Sequence, residues 1–199
     1  MTLSIQNRAP KKSEFSQLKV RTESLVADGR HNAFASFVKW RGRYWLAYRR
    51  ASGHTARDGE IVVLVSADTK EWTEVVRFDL GGDDRDPQFV VFGDRLWLYI
   101  NSLRDGIFKI FATCSGDGQV WDPPQQIYCD GFILWKPVLH QGRLYAGVHK
   151  PGSNDQRLSQ LMTSSNGISW AMISSIRRGT GESETALVFD QAGNLTAFL

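Results

Sequence analysis

The side chains best suited to chemistry in this sequence are three carboxylates, three arginines, two histidines and a tryptophan, all on segments of loop composition. They are Asp58, Asp86, Glu184, Arg30, Arg49, Arg85, His31, His54 and Trp135. Carboxylates in different environments can divide the roles of general acid, general base and tuner of a neighbouring pKa. Arginine binds a carboxylate through two parallel hydrogen bonds, and tryptophan can stack on a flat or cyclic ligand. These residues can act together only if the fold brings distant loops to one place.

A repeat in the sequence indicates the fold that would do so. Trp72, Trp121 and Trp170 are spaced 49 residues apart, and each closes the pattern Ser, any residue, Asp or Asn, three residues, Trp. A second marker has nearly the same period, because glycines precede alternating apolar runs at Gly42, Gly93, Gly142 and Gly193. A period of this length has room for four strands joined by short turns. We therefore predict an all-β fold, a β-propeller of four-stranded antiparallel blades.

The repeat predicts three complete blades and part of a fourth. Their approximate ranges are 33–80, 85–130, 135–178 and, for the half blade, 182–199, in one partial propeller domain that spans 13–199. Residues 13–27 are predicted as an outermost strand, and residues 1–12 as a flexible N-terminus. Because the pattern stops within a blade at Leu199, we expect the N-terminal part of a larger ring, with open strand edges that favour self-association.

Composition argues against several classes of protein. A content of 42% hydrophobic and 12% aromatic residues is globular, and a net charge of +3 from scattered basic residues does not indicate a nucleic-acid surface. No apolar run is long enough for a membrane span, and no signal peptide follows Met1. We expect a cytoplasmic chain as written, with no nucleic-acid or membrane partner, no metal, no cofactor and no disulfide between Cys114 and Cys129.

The three tryptophan-closed segments resemble degenerate Asp-boxes, the bacterial neuraminidase repeats of the sialidase superfamily. They are Ser66–Trp72, Ser115–Trp121 and Ser164–Trp170, and the resemblance, which covers roughly residues 17–199, implies the first half of a six-bladed propeller. In such a turn the Asp or Asn side chain caps the backbone and the Trp fills the gap between strands, so the motif is structural. These turns emerge at one end of the blades, and the loops that enter the first strands emerge at the other. The functional site is expected at that other end.

A retaining sialidase, as the resemblance implies, uses an aspartic acid as general acid and base, a tyrosine nucleophile activated by a glutamate, and three arginines that hold the substrate carboxylate. Asp58 is accordingly the first choice for the general acid and base, with a solvated turn as the structural alternative. Glu184, or its neighbour Glu182, is the candidate for the activating glutamate. Arg30 lies where the first of the three arginines belongs, but its neighbours differ from the family's aromatic-Arg-Ile-Pro pattern.

The other candidates are assigned to substrate binding. Arg49 precedes Asp58 as an arginine precedes the acid/base aspartate in sialidases, and Asp86 with Pro87 matches an Asp-Pro pair in the sialidase pocket. Each of the four remaining candidates has a structural role as the alternative to substrate binding. The alternative is an ion pair for Arg85, a polar surface role for His31 and His54, and core packing for Trp135.

These assignments predict the N-terminal part of a sialidase-like glycoside hydrolase that acts on terminal sugars of a glycoconjugate, of the exo-α-sialidase type. None of the five tyrosines matches the nucleophile, so we expect this chain by itself to be inactive. One alternative is a propeller hydrolase for neutral sugars that uses Asp58, Asp86 and Glu184. Another is a propeller that binds carbohydrate without chemistry. A sialidase requires arginines around the sugar carboxylate, whereas a neutral-sugar hydrolase does not.

Overall fold

The computed structural model describes residues 21–153, 157–179 and 184–199. Within these ranges all regular secondary structure is β-strand. The strands form four antiparallel sheets that follow one another along the chain. The predicted fold class is confirmed, because the protein is an incomplete β-propeller of four-stranded antiparallel blades. No helix in the described ranges is long and apolar enough to cross a membrane.

The first two blades are four-stranded meanders in which each strand pairs with the next. Blade 1 has the order β1-β2-β3-β4, with β1 His31–Trp40, β2 Arg43–Ala51, β3 Glu60–Ser66 and β4 Thr73–Phe78. Blade 2 has the order β5-β6-β7-β8, with β5 Asp83–Phe92, β6 Arg95–Arg104, β7 Ile107–Ser115 and β8 Gln125–Ile127.

The third blade repeats this topology with a divided first strand, and a hairpin follows it. Its strands are β9 Ile133–Leu134, β10 Val138–His140, β11 Arg143–Lys150, β12 Leu158–Ser164 and β13 Trp170–Arg178, and both β9 and β10 pair with β11. The hairpin consists of β14 Ala186–Phe189 and β15 Leu195–Phe198. Of the predicted outermost strand 13–27, residues 21–27 form no strand. The remainder of it, and the predicted flexible N-terminus, lie outside the described residues.

In the three blades, the hairpins between first and second strands use two-residue turns in which both residues have positive φ. Arg41 and Gly42 have φ of 48° and 73°, and Gln141 and Gly142 have 47° and 75°. This is the turn geometry that matches the twist of the flanking strands and that favours glycine. The recurring glycines in the sequence therefore predicted the positions of these hairpins, because the turns favour glycine.

The hydrophobic core lies between the blades, since successive sheets pack face to face. One cluster joins blade 1 to blade 2 and includes Trp45, Ile61, Phe89 and Leu98. A second joins blade 2 to blade 3 and includes Tyr99, Ile110, Leu144 and Met162. Burial on both faces explains why β3, for example, carries an unbroken apolar run from Ile61 to Val65. Both cysteines are free, with Cys114 buried and Cys129 exposed.

The tryptophan-closed turns between third and fourth strands hold themselves together through their own motif residues. In the second turn, Asp117 Oδ1 accepts hydrogen bonds from the Gln119 and Val120 N–H groups at 2.8 and 2.9 Å. Trp121 Nε1 donates to the Gly118 carbonyl at 3.2 Å. The other two turns repeat both features. The motif side chains thus satisfy turn backbone groups.

Candidate functional site at the inner ends of the first strands

The first strands of the blades line the inner edge of the ring. Successive first strands contact one another, β1 with β5, β5 with β10, and β10 with β14. The chain enters each of them, and joins each second strand to the third, at the end opposite the tryptophan-closed turns. Side chains near the beginnings of the first strands therefore converge from several blades.

Strands β1 and β5 carry matching bulges near that end. The register shifts between Ala33 and Ser36 in β1 and between Arg85 and Gln88 in β5. Each bulge contains a non-glycine residue of positive φ six residues before the strand ends, Phe34 at 54° and Asp86 at 48°. A bulge re-aims one side chain without ending the sheet.

The bulge also corrects one sequence expectation. Arg85 and Asp86 were expected on a loop, but the segment Asp83–Pro87 forms the beginning of β5. Proline has no N–H for a β-ladder and is tolerated where the ladder is interrupted. Pro87 lies within the bulge, so the strand continues past it.

Asp86 is a buried carboxylate, with 8% of its surface exposed. Burial raises its pKa above the usual range; the Arg85 guanidinium partly opposes that shift, and the negative charge of Glu184 adds to it. Arg85 Nε lies 3.2 Å from Asp86 Oδ2, and Arg85 Nη1 lies 3.3 Å from Asp83 Oδ2. Glu184 is exposed just before β14. Two of the predicted residues from different blades, Asp86 and Glu184, are therefore within electrostatic reach of each other.

Phe34 is a candidate site residue that the sequence analysis did not identify. Its half-buried ring lies 4.8 Å from the Arg85 guanidinium carbon and 5.5 Å from the His54 ring centre. The sequence did contain a signal for it, because Phe34 and Asp86 each lie six residues before the end of the first strand of their blade. We call Phe34, Arg85, Asp86 and Glu184 the axial cluster.

Arg49 has a supporting position beneath this cluster. It is completely buried, and its Nε donates to Asp83 Oδ1 at 2.7 Å. Its other nitrogens donate to the Gly53 and Ala56 carbonyls, each at 3.0 Å. With these partners and no exposed surface, Arg49 joins blade 1 to blade 2 and is not available to a ligand.

Arg30 and Asp58 form an ion pair of 2.9 Å at the outer rim of blade 1, which we call the rim pair. Asp58 also accepts hydrogen bonds from the Ser52 backbone N–H, at 3.0 Å, and from the Ser52 hydroxyl, at 2.9 Å. These bonds, the backbone one first, lower the pKa of Asp58. A lowered pKa favours the ionised form, which suits a base better than an acid.

The two predicted histidines lie between the rim pair and the axial cluster. Their ring centres are 5.4 Å apart in an edge-to-face arrangement. His31 Nδ1 lies 3.4 Å from Arg49 Nη1, which can only donate, so His31 Nδ1 is the acceptor in this contact. Among the residues that the structure describes, no group of three metal-ligating side chains is present.

Blade 3 contributes Trp135, one side of which packs against His149 of the same blade. Trp135 Nε1 donates to His149 Nδ1 at 2.9 Å, and the two rings are stacked. Burial lowers the pKa of His149 to about 4 and so keeps the imidazole neutral. The adjacent Lys136 extends from blade 3 to blade 1, where its Nζ donates to the Ser36 hydroxyl at 3.3 Å. Glu182 lies outside the described residues.

No protein-family model and no curated protein matches this sequence. Solved structures do match in fold. An α-L-arabinanase of Penicillium chrysogenum, solved with arabinobiose, has a TM-score of 0.66 and 15% identity over 83% of this chain and 56% of that one. A sialidase of Trypanosoma rangeli, solved with 2,3-difluorosialic acid, has a TM-score of 0.64 and 16% identity over 83% of this chain and 33% of that one.

A thermostable family-43 glycoside hydrolase is also similar, with a TM-score of 0.56 and 15% identity over 84% of this chain and 63% of that one. At these identities the likeness establishes the propeller fold. The chain spans about half the length of the arabinanase and a third of that of the sialidase.

Proposed function

We propose that this chain is part of a carbohydrate-active propeller, a glycoside hydrolase acting on a terminal sugar held at the axial cluster. The observation that carries the proposal is the buried Asp86 carboxylate, whose pKa burial raises, within electrostatic reach of Glu184 from another blade. Most glycoside hydrolases use two carboxyl groups in different environments, one to donate a proton and one to act as base or nucleophile. The propeller hydrolases that match the fold add support by analogy.

In this proposal each member of the cluster has a distinct role. Asp86, held neutral to higher pH by its burial, donates the proton to the leaving oxygen. Glu184, which is exposed, serves as the second carboxylate. Phe34 presents a ring on which a sugar can stack, and Arg85 fixes the orientations of both Phe34 and Asp86.

A second candidate is the exo-α-sialidase type, with Asp58 as general acid and base. It is favoured by the placement of Arg30 beside Asp58 on the same rim. Against it, Arg49 is buried against Asp83 and Arg30 is already paired, so neither arginine is free to hold a substrate carboxylate in the observed arrangement. A propeller that binds sugar without chemistry is the third reading.

The experiment is an assay of the complete gene product on a panel of nitrophenyl glycosides and a fluorogenic sialoside, with Asp86→Asn and Asp94→Asn compared. Asparagine tolerates positive φ, so both substitutions preserve backbones whose φ values are 48° and 59°. Asp94 lies in the β5–β6 turn, at the opposite end of the same strand. We expect Asp86→Asn to lower kcat by about a hundredfold or more and Asp94→Asn to leave it unchanged.

Other outcomes distinguish the remaining candidates. Equal activity in both variants would contradict the role of Asp86. Turnover restricted to the sialoside, and abolished by Asp58→Asn, would select the sialidase type. Sugar binding without turnover of any substrate would select a binding propeller.

Self-association is a further part of the proposal. Large apolar side chains are exposed on the outer face of blade 1 and on the β14–β15 hairpin, including Phe37 at 51%, Val188 at 53% and Phe198 at 57%. Exposed sheet faces and edges favour pairing with another chain. We expect sedimentation of the 199-residue chain to show a concentration-dependent dimer; a monomer at all concentrations would contradict this.

A further inference from the structure

Lys136 has an unusual position at the inner edge of the ring. It belongs to the segment between β9 and β10 of blade 3, and its ammonium donates to the hydroxyl of Ser36 in blade 1. Ser36 is buried, and its hydroxyl also accepts the Phe89 N–H of blade 2 at 2.9 Å. First-strand segments of three blades thus meet at one hydroxyl group, and the lysine closes this junction.

The ammonium group has capacity for further partners. It carries three N–H donors, and the Ser36 hydroxyl is its one hydrogen-bond partner within the described ranges. No carboxylate in those ranges lies within ion-pair distance of it, in contrast to Arg30, Arg49 and Arg85. The side chain is nevertheless exposed. An accessible cation with unused donors and no counter-charge among the described residues is suited to receive an anion.

Its surroundings strengthen this reading. The protein around Lys136 desolvates the ammonium and lowers its pKa. A cation that has lost part of its hydration gains more from an anionic partner than a fully solvated surface lysine does. Ser36, two residues after Phe34 in β1, connects this position to the axial cluster through a short stretch of the same strand.

We propose that Lys136 binds an anionic substituent, a carboxylate or a sulfate ester, on the sugar held at the axial cluster. This inference rests on the proposed function, because it specifies the substrate class of the same site. It supplies a cation from blade 3 in place of the predicted arginine clamp, whose one candidate in this chain, Arg30, is paired with Asp58.

The test uses sugars that differ only at carbon 6. Binding of galactose, galacturonate and galactose 6-sulfate, and of the matching glucose series, is measured by titration calorimetry to wild type, Lys136→Gln, Lys136→Arg and Lys150→Gln. Lys150 is the matched control, an exposed lysine of the same blade at the end of β11. We expect wild type to bind one anionic form about tenfold or more tightly than the neutral sugar, as for a charge-assisted hydrogen bond.

Lys136→Gln should abolish this preference, while Lys136→Arg, which keeps the charge, and Lys150→Gln should retain it. The uronate and sulfate arms identify which anion the site accepts. If wild type binds neutral and anionic forms equally, or if Lys136→Gln leaves a preference unchanged, the role of Lys136 is wrong and the sugar site stands. If wild type binds none of these sugars, this inference is wrong, and the glycoside panel of the proposed function decides whether another sugar occupies the site. Retention of fold in Lys136→Gln is checked by its circular dichroism, and Lys136→Arg provides the second variant if it does not fold.

Discussion

The junction between blades 1 and 2 and the junction between blades 2 and 3 are built alike at one end. At the end with the tryptophan-closed turns, a turn glycine of the later blade lies against a tryptophan of the earlier blade. Gly118 meets Trp45, and Gly167 meets Trp97, so closely that an added Cβ would lie within 3.0 Å of ring atoms in both cases. This end is a repeated packing unit.

The two junctions differ at the functional end. Arg49 and Asn101 occupy the same position, each six residues after the start of its second strand, and both are buried. Arg49 pairs with the Asp83 carboxylate of the next blade. Asn101 instead exchanges two hydrogen bonds with the backbone of Leu134, at 2.8 and 3.1 Å. One junction is closed by a buried ion pair and the other by neutral groups.

This difference supports the proposed position of the sugar site at the first junction. A neutral amide is sufficient to join two blades, so the charges at the first junction are not required by the propeller itself. Buried ion pairs are poor sources of stability. The Arg49–Asp83 pair is continuous with Arg85 and Asp86, and it orients them. We interpret the charged junction as the support of the axial cluster.

The largest effect should come from breaking that ion pair. Arg49→Met leaves the Asp83 carboxylate buried with only the longer contact to Arg85, and removing one partner of a buried pair costs about 3–5 kcal/mol. We expect a loss of that size in the free energy of unfolding, measured by urea denaturation. Asn101→Ala, which leaves one buried N–H and one carbonyl unpaired, should cost about 1–3 kcal/mol.

Arg50→Met is the matched control for the charged junction. Arg50 follows Arg49 in the same strand, but it is partly exposed and pairs with Asp28 and Glu60. Its removal should cost about 1 kcal/mol or less. Equal losses for Arg49→Met and Arg50→Met would remove the distinction between the two arginines.

The charged junction should also make stability depend on pH through Asp84. This residue is fully buried, its backbone N–H donates to the Gly59 carbonyl of blade 1, and burial raises the pKa of its carboxyl to about 6. Because the folded state holds this proton more tightly than the unfolded state does, the contribution is complete below the unfolded value of 3.8 and is lost as pH rises through about 6.

The asparagine of Asp84→Asn cannot titrate. The unfolding free energy of this variant, relative to that of the wild type, should therefore increase by up to about 3 kcal/mol between pH 4 and pH 7. The comparison is made by denaturation at several pH values, with Asp79→Asn, an exposed turn residue beside it, as control. A difference that does not change with pH would show that Asp84 ionises normally.

A smaller effect is expected at the shared end of the junctions. Gly118→Ala places a methyl group 2.0 Å from a Trp45 ring carbon at a φ of 82°. Overpacking and positive φ together should cost about 2 kcal/mol. Gly116→Ala, in the same turn, meets nothing within 4 Å and should change the thermal midpoint little. Equal midpoints for the two variants would contradict the close packing of turn and tryptophan.

The fold was predictable from sequence because its markers are local. Each two-residue hairpin turn needs positive φ, and each tryptophan-closed turn satisfies its own backbone, so both leave a residue pattern. The axial cluster was predictable only in part. Asp86 and Glu184 were named as candidates by type and position, but Phe34 was not, because a bulge, which has no fixed residue signature, aims its ring toward Arg85.

The partners of the arginines could not be predicted for a related reason. Arg49 looked available for a ligand because the sequence does not show that Asp83 begins a strand in the next blade. Its pairing depends on the packing of two sheets, which no local pattern records.

The most direct test of the central claim is to map where a sugar binds by NMR. Backbone amide shifts of the isotope-labelled chain would be followed during titration with galactose, galacturonate, L-arabinose and N-acetylneuraminic acid. The axial site predicts that at least one sugar perturbs the amides of residues 33–36, 85–89 and 134–138 together, and leaves the tryptophan-closed turns unchanged. Perturbations confined to the rim loop of residues 52–58 or to those turns, or no perturbation by any of the four sugars, would contradict it.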